Sequence, residues 1–171
     1  MSNPFFEPST LPYGMPPFAD IRDEHYRPAF EKGMKEQLDE VRRITMRRDM
    51  PTFENTMIPL EKSGQTLERV ATVFFTKASA DSNDYTNQLE EEIAPLLADH
   101  ADAIRLDSQL YWRIKTLYDT LDESGLDPES RYLVERYHTE YTIAGAGLND
   151  AEKALAEFDA GSLGKTVFVW D

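Results

Sequence analysis

The 171-residue chain has no cysteine, little histidine and a shortage of basic side chains, and each shortage excludes a class of function. Without cysteine the chain can form no disulfide, thiol nucleophile or thiolate metal site. Its 18 Lys and Arg against 32 Asp and Glu give a net charge of -14, which opposes binding to nucleic acid or to an anionic membrane. We interpret the acidic excess as a solvated exterior, the alternative being an acidic wall that attracts a basic partner. Residues 1–17 contain no signal-peptide pattern, so we expect a cytoplasmic protein.

Histidine is too scarce and too scattered for a metal or catalytic constellation. The three histidines never stand four residues apart, and the zinc motif H-E-x-x-H is absent. We expect His25 to make a local hydrogen bond, His138 to have a structural or exposed role, and His100 to be solvated beside Asp99 and Asp102. Carboxylates are so numerous that carboxylate pairs carry no information. We therefore assign no catalytic, cofactor-binding or metal-binding residue to this chain.

Two further patterns hint at binding but have better structural explanations. Residues 161–166 (GSLGKT) are similar to the end of a phosphate-binding loop. The complete loop joins a strand to a helix, whereas this segment follows a helical pattern and precedes the strand-like residues 167–170, so nucleotide binding is disfavoured. The tyrosines at 132, 137 and 141 could line a groove, but their helical spacing favours core packing.

The first 24 residues predict an extended arm rather than a helix. Five prolines in this segment preclude regular helix. Phe5, Phe6 and Phe18 would each lose about 25 cal/mol per Å² of apolar surface left in water. We therefore expect the arm to lie on a protein surface.

Hydrophobic periodicity predicts an all-α fold, an antiparallel bundle of five or six helices of which some are kinked. The first predicted helix runs from Pro28 to Arg48 with the apolar stripe Phe30, Met34, Leu38, Val41 and Ile44, and a second helical stretch runs from Phe53 to Ala80 with interruptions at Pro59 and Gly64. The third helix follows the turn 81–84, contains Tyr85, Leu89, Ile93 and Leu96, and is kinked at Pro95. The remaining helices are one capped by Asp107 or Ser108 and ended by Gly125, one capped by Asp127 before Pro128, and one from Asn149 to Gly161.

Several short stretches in a fixed order are similar to one protein family. They are residues 3–6 (NPFF), 9–13 (STLPY), 25–34 (HYRPAFEKGM), 51–56 (PTFENT), 60–64 (LEKSG), 69–70 (RV), 73–75 (VFF) and 144–148 (AGAGL). Together they resemble the N-terminal region of bacterial peptidyl-dipeptidases, which are thimet-oligopeptidase-like zinc metallopeptidases. The resemblance covers residues 3–155.

The resemblance implies a large, helical, cytoplasmic peptidase whose two lobes enclose a channel for short peptides. In such an enzyme one zinc sits on an H-E-x-x-H helix with a further Glu as ligand, the motif Glu is the general base, and dipeptides leave from free C-termini. None of these catalytic positions can be carried onto this chain. What the resemblance implies here is architectural: a lobe that covers the channel, with the zinc belonging to the parent enzyme.

We accordingly predict an extended arm over residues 1–24, a helical lobe over 25–160 and an atypical tail over 161–171. The family pattern gives out near Phe158, which leads us to expect a truncated gene product or a fragment, inactive alone. An orphaned lobe should expose apolar surface and could self-associate through it. The alternative is a stand-alone helical module that binds a protein partner.

Overall fold

The computed structural model describes residues 3–148, which fold into helices joined by turns. The helices are α1 (Tyr26–Thr45), α2 (Ile58–Glu61), α3 (Gln65–Ala80), α4 (Asp84–Arg105), α5 (Ser108–Asp119) and α6 (Pro128–Ala144). A single π-helical segment, Phe53–Met57, leads into α2, and short 3-10 turns lie at Pro12–Gly14, Asp23–His25 and Leu121–Glu123. These residues contain no strand, which confirms the predicted all-α class. The predicted helix after Asn149 and the tail 161–171 lie outside the described residues.

The chain divides into two compact units, Met1–Ile104 and Arg105–Asp171. In the first unit α1 and α3 run antiparallel, because contacts pair Phe30 with Phe74 near one end and Gly33 with Leu67 further along. The core of this unit is a cluster of apolar side chains contributed by the arm, α1, α3 and α4. Its buried members are Phe5, Tyr26, Ala29, Phe30, Val70, Val73, Phe74, Leu89 and Ile93. Edge-to-face ring contacts, with centroids 5.2 Å apart for Tyr26–Phe74, fix their arrangement.

Gly33 explains why the buried face of α1 differs from the predicted stripe. A Cβ added to Gly33 would lie 2.8 Å from the Leu67 Cα, so α1 touches the backbone of α3 at this point. The close approach turns the face containing Gly33 inward. Leu38 consequently points outward and is 39% exposed, contrary to the prediction. The half-buried Gln37 takes the inward place one turn after Gly33.

The second helical stretch is broken at Gly64, as predicted, and it changes from the π-helical segment to α2 directly before Pro59. Gly64 has φ +76°, a left-handed conformation that glycine adopts without strain, and it separates α2 from α3. Its N–H donates to Glu40 Oε2 at 2.8 Å, which ties the turn to α1. Pro59 lies in the first turn of α2, which follows the π-helical segment without a gap.

Helix α4 begins with reciprocal capping and continues through Pro95. The Thr86 N–H donates to Asn83 Oδ1 at 2.9 Å, and the Asn83 N–H donates to Thr86 Oγ1 at 2.8 Å. The predicted turn 81–84 therefore contains Asn83, the residue that caps α4. Among the described residues, no helix is both long and apolar enough to cross a membrane.

In the second unit α5 and α6 form an antiparallel pair. Tyr111 near the start of α5 contacts Thr142 near the end of α6, and Tyr118 near the end of α5 stacks on His138. Both predicted caps are confirmed: the carboxylate of Asp107 accepts from Leu110 N–H at 2.8 Å, and that of Asp127 from Ser130 N–H at 3.0 Å. Gly145, with φ +87°, ends α6.

Candidate functional site

The three histidines singled out in the sequence have different environments, and each is described within its own unit. His25 and His100 belong to the first unit and His138 to the second. The prediction for His25 is confirmed, since its Nδ1 accepts a hydrogen bond from the Arg22 N–H at 3.0 Å. Among the described residues, no three His, Asp or Glu side chains are grouped so that they could hold a metal ion. The part of the chain that the structure describes therefore does not fit the zinc that the resemblance implies for the parent enzyme.

His100 is buried, and the expectation that it is solvated is wrong. Only 8% of it is exposed, and its Nε2 lies 2.7 Å from Gln37 Oε1. The Gln37 amide nitrogen faces Ser63 Oγ at 3.5 Å, and Ser63 Oγ donates to the Leu60 carbonyl at 2.7 Å. The Gln37 amide nitrogen donates towards Ser63, and the Gln37 amide oxygen can only accept. The His100 Nε2 therefore carries the proton of the bond to Gln37 Oε1.

The remaining ring nitrogen of His100 makes the site electrostatically unusual. Its Nδ1 is buried without a hydrogen-bond partner in the described structure. Burial lowers the pKa of His100, because the imidazolium form would lose its hydration. His100 therefore links α4 to α1 as a neutral residue. In the sequence, His100 follows Leu96–Leu97 by one helical turn and shares a helix face with Leu89 and Ile93. This spacing was the signal that it faces inward.

His138, expected to have a structural or an exposed role, has a structural one. Its ring stacks on Tyr118 with centroids 3.9 Å apart and an angle of 7° between the planes, and Tyr111 stacks at 5.9 Å. Burial lowers its pKa, with Lys115 acting in the same direction. Core packing, the preferred interpretation of the tyrosines, is confirmed for Tyr141, which is buried, and is wrong for Tyr132, which is 65% exposed.

The N-terminal arm lies on the first unit through two anchors, as predicted. The Phe5 ring is buried with its centroid 5.5 Å from that of Tyr26. The Phe5 carbonyl accepts from Arg69 Nε at 3.3 Å and Arg69 Nη2 at 3.2 Å, and Asn3 Nδ2 donates to the His25 carbonyl at 2.7 Å. Arg69, which sequence reasoning did not single out, thus holds the backbone of the arm against α3.

A cavity of about 460 Å³ separates the arm from α3 beside these anchors. Its lining residues are Pro4, Phe5, Glu7, Ser9, Gly14, Pro16, Pro17, Gln65, Glu68, Arg69, Thr72 and Val73. None of these is histidine or lysine, and the Ser9 hydroxyl donates to the Met15 carbonyl at 2.5 Å. The cavity can therefore hold a partly apolar group, and the Ser9 hydroxyl donates to a backbone carbonyl and not to a side-chain base.

Sequence comparisons relate the chain to bacterial peptidases over nearly all of its length. The dipeptidyl carboxypeptidase of Escherichia coli is 42% identical over 152 residues, which are 89% of this chain and 22% of the relative. The Salmonella typhimurium dipeptidyl carboxypeptidase is 39% identical over 153 residues, 90% of this chain and 22% of the relative. Oligopeptidase A of Escherichia coli is 24% identical over 148 residues, 86% of this chain and 21% of the relative. No protein-family model matches the chain.

These comparisons confirm the resemblance to peptidyl-dipeptidases drawn from the short sequence motifs. Over nearly all of its length the chain is similar to the bacterial dipeptidyl carboxypeptidases and, at lower identity, to oligopeptidase A. It spans about a fifth of the length of the curated relatives that it matches.

Proposed function

We propose that this chain provides one helical lobe of a cytoplasmic zinc peptidase that releases dipeptides from the free C-termini of short peptides. The observation that carries the proposal is the 42% identity to a dipeptidyl carboxypeptidase across 89% of the chain. In this proposal the lobe covers a peptide channel. The zinc and the groups that act on the scissile bond belong to sequence that this chain does not contain, and the chain alone is inactive.

The architecture of the first unit supports a covering role. The arm, α1, α3 and α4 share one core, and Arg69, Asn3 and Phe5 fasten the arm to it. A lobe fixed in this way can bound a channel without supplying catalytic groups. We extend the proposal to the division predicted from sequence: an arm over residues 1–24, a lobe over 25–160 and a separate tail over 161–171.

A chimeric enzyme tests the proposal. The 152-residue segment of the Escherichia coli dipeptidyl carboxypeptidase that matches this chain is replaced by the corresponding residues of this chain. We expect the chimera to release dipeptides from a short peptide with a free C-terminus and to leave the C-terminally amidated peptide intact. We expect this chain alone, with added zinc, to cleave neither. A folded but inactive chimera, or hydrolysis by the chain alone, contradicts the proposal.

A second candidate function is a stand-alone module that binds a protein partner. Exposed apolar side chains of the second unit favour it, since Trp112 is 50% exposed and Ile143 81% exposed. The same surface would permit self-association. Sedimentation of the chain alone tests self-association, and a monomer at all concentrations contradicts it. A pull-down with the chain as bait tests the module, and the capture of no partner contradicts it.

A further inference from the structure

The turn between Ser9 and Phe18 presents a cluster of apolar side chains to solvent. Tyr13 is fully exposed, and Leu11, Met15 and Phe18 are 45%, 54% and 58% exposed. Four large apolar side chains within eight positions leave a patch on one small element. We call residues 9–18 the arm turn.

The backbone of the arm turn shows that Tyr13 is not placed there for the fold. Tyr13 has φ +59° and ψ +18°, and it is the only residue other than glycine with positive φ in the described chain. Gly14 follows with φ +68°. Two successive residues of this kind form the turn in which Asn-Gly is the preferred pair, because a side chain with a bulky ring is strained there. A strained residue that buries nothing in its own chain points to a role outside that chain.

The arm turn is held in one conformation by its own hydrogen bonds. Ser9 Oγ donates to the Met15 carbonyl at 2.5 Å and accepts from the Leu11 N–H at 3.2 Å. The Gly14 N–H donates to the Leu11 carbonyl at 3.0 Å. The anchor at Phe5 fixes the chain that leads into the turn. A partner would therefore meet a pre-organised surface and would pay little entropy to order it.

The charges beside the arm turn indicate the chemistry of the partner. A concave surface of about 900 Å³ adjoins it, lined by Leu11 together with Glu7, Asp20 and Glu24 but with Arg22 as its one Arg or Lys side chain. The surface is apolar at the turn and acidic at its edge. A second copy of this chain, with a net charge of -14, is a poor match for an acidic edge. A surface with an apolar recess and a basic rim is a good match.

We propose that the arm turn is a docking element that inserts Tyr13 into an apolar, basic-rimmed recess in the catalytic part of the peptidase. This inference rests on the proposed function and names the surface through which the lobe engages the rest of the enzyme. The match covers 22% of the Escherichia coli relative, so more than three quarters of that protein's length is available to form the recess.

The first test uses the chain alone. One variant carries Leu11→Ser, Tyr13→Ser, Met15→Ser and Phe18→Ser. The control variant replaces four other exposed apolar residues that are spread along the sequence of the first unit: Met46→Ser, Ile58→Ser, Tyr85→Ser and Leu96→Ser. Because the dye 1-anilinonaphthalene-8-sulfonate binds contiguous apolar surface, we expect its fluorescence to fall about twofold with the arm-turn variant and less with the control. Equal fluorescence for the arm-turn variant and the unmodified chain overturns the inference.

The second test places single substitutions in the chimera and in the chain alone. Tyr13→Ser should lower the melting temperature of the chimera by about 3 °C or more and leave that of the chain alone unchanged. Tyr132→Ser, which removes the same ring from an exposed position on α6, should change neither to that extent. Replacing Glu7, Asp20 and Glu24 by Lys should also destabilise the chimera.

The outcomes separate the docking inference from the proposed function. If the unmodified chimera is active but Tyr13→Ser leaves its melting temperature unchanged, the docking inference fails while the proposed function stands. If Tyr13→Ser destabilises the chain alone as much as the chimera, the tyrosine is a structural residue and the inference also fails. If the unmodified chimera is folded but inactive, the proposed function fails, and the melting temperatures of the chimera with and without Tyr13→Ser decide whether the arm turn is a docking surface.

Discussion

Substituting Gly33 by alanine sets helix propensity against packing, and the two effects have opposite signs. Alanine in the interior of α1 should stabilise the helix by about 1 kcal/mol. The added Cβ, however, would lie 2.8 Å from both the Cα and the N of Leu67, where ordinary contacts are 3.4–4 Å. The backbone of α3 must then retreat by at least about 0.6 Å from α1. Overpacking of this kind costs about 1–3 kcal/mol, and contact with backbone belongs at the upper end of that range.

We therefore expect Gly33→Ala to destabilise the chain by about 1–2 kcal/mol, lowering its melting temperature by about 3–6 °C. Urea denaturation followed by circular dichroism measures the free energy of unfolding. Ala98→Gly, at an exposed position of α4, is the control, because it isolates helix propensity and should cost about 1 kcal/mol. If Gly33→Ala instead raises stability by the amount that Ala98→Gly lowers it, the close approach of α1 and α3 is refuted.

Three further predictions concern His100, the arm and the start of α6. Burial lowers the pKa of His100 below its usual 6.5. As the pH falls below 6.5, this side chain is therefore protonated more readily in the unfolded chain than in the folded one. The free energy of unfolding should be greatest above pH 6.5 and should fall as the pH is lowered towards 5. The fall per pH unit should be smaller for His100→Gln, and an identical fall in both proteins would show that His100 does not cause it. Arg69→Met removes the hydrogen bonds to the Phe5 carbonyl and should lower the free energy of unfolding by about 1–2 kcal/mol. Trypsin should then cleave the arm faster after Arg22, and an unchanged cleavage rate would mean that the arm is held elsewhere. Asp127→Ala removes the cap of α6 and should lower helix content measured by circular dichroism, while Asp127→Asn should retain it.

The elements that sequence predicted well are those defined by local chemistry. Asp127 followed by Pro128 begins α6 because a capping carboxylate and a fixed φ act within one turn. Gly64 ends α2 because its left-handed conformation is a local property of glycine. The π-helical geometry of residues 53–57 was not predicted from the sequence.

The parts that sequence missed depend on what lies across the core. Leu38 fits a helical stripe, yet it is exposed because Gly33 on the same helix meets the backbone of α3. Phe5 and Phe18 are equally apolar, but Phe5 is buried against Tyr26 while Phe18 is 58% exposed. His100 was expected in solvent because its neighbours in sequence are acidic, whereas its environment is set by Gln37, which lies 63 positions away.

The rate of dipeptide release from the chimera tests most directly the proposal that this chain builds a lobe of a dipeptidyl carboxypeptidase. The measurement compares three proteins: the Escherichia coli enzyme, the chimera, and the chimera carrying Gly33→Leu, which should disrupt the contact between α1 and α3. We expect dipeptide release by the first two and a large loss in the third. A folded chimera that releases no dipeptide, while the Escherichia coli enzyme does so under the same conditions, would contradict it.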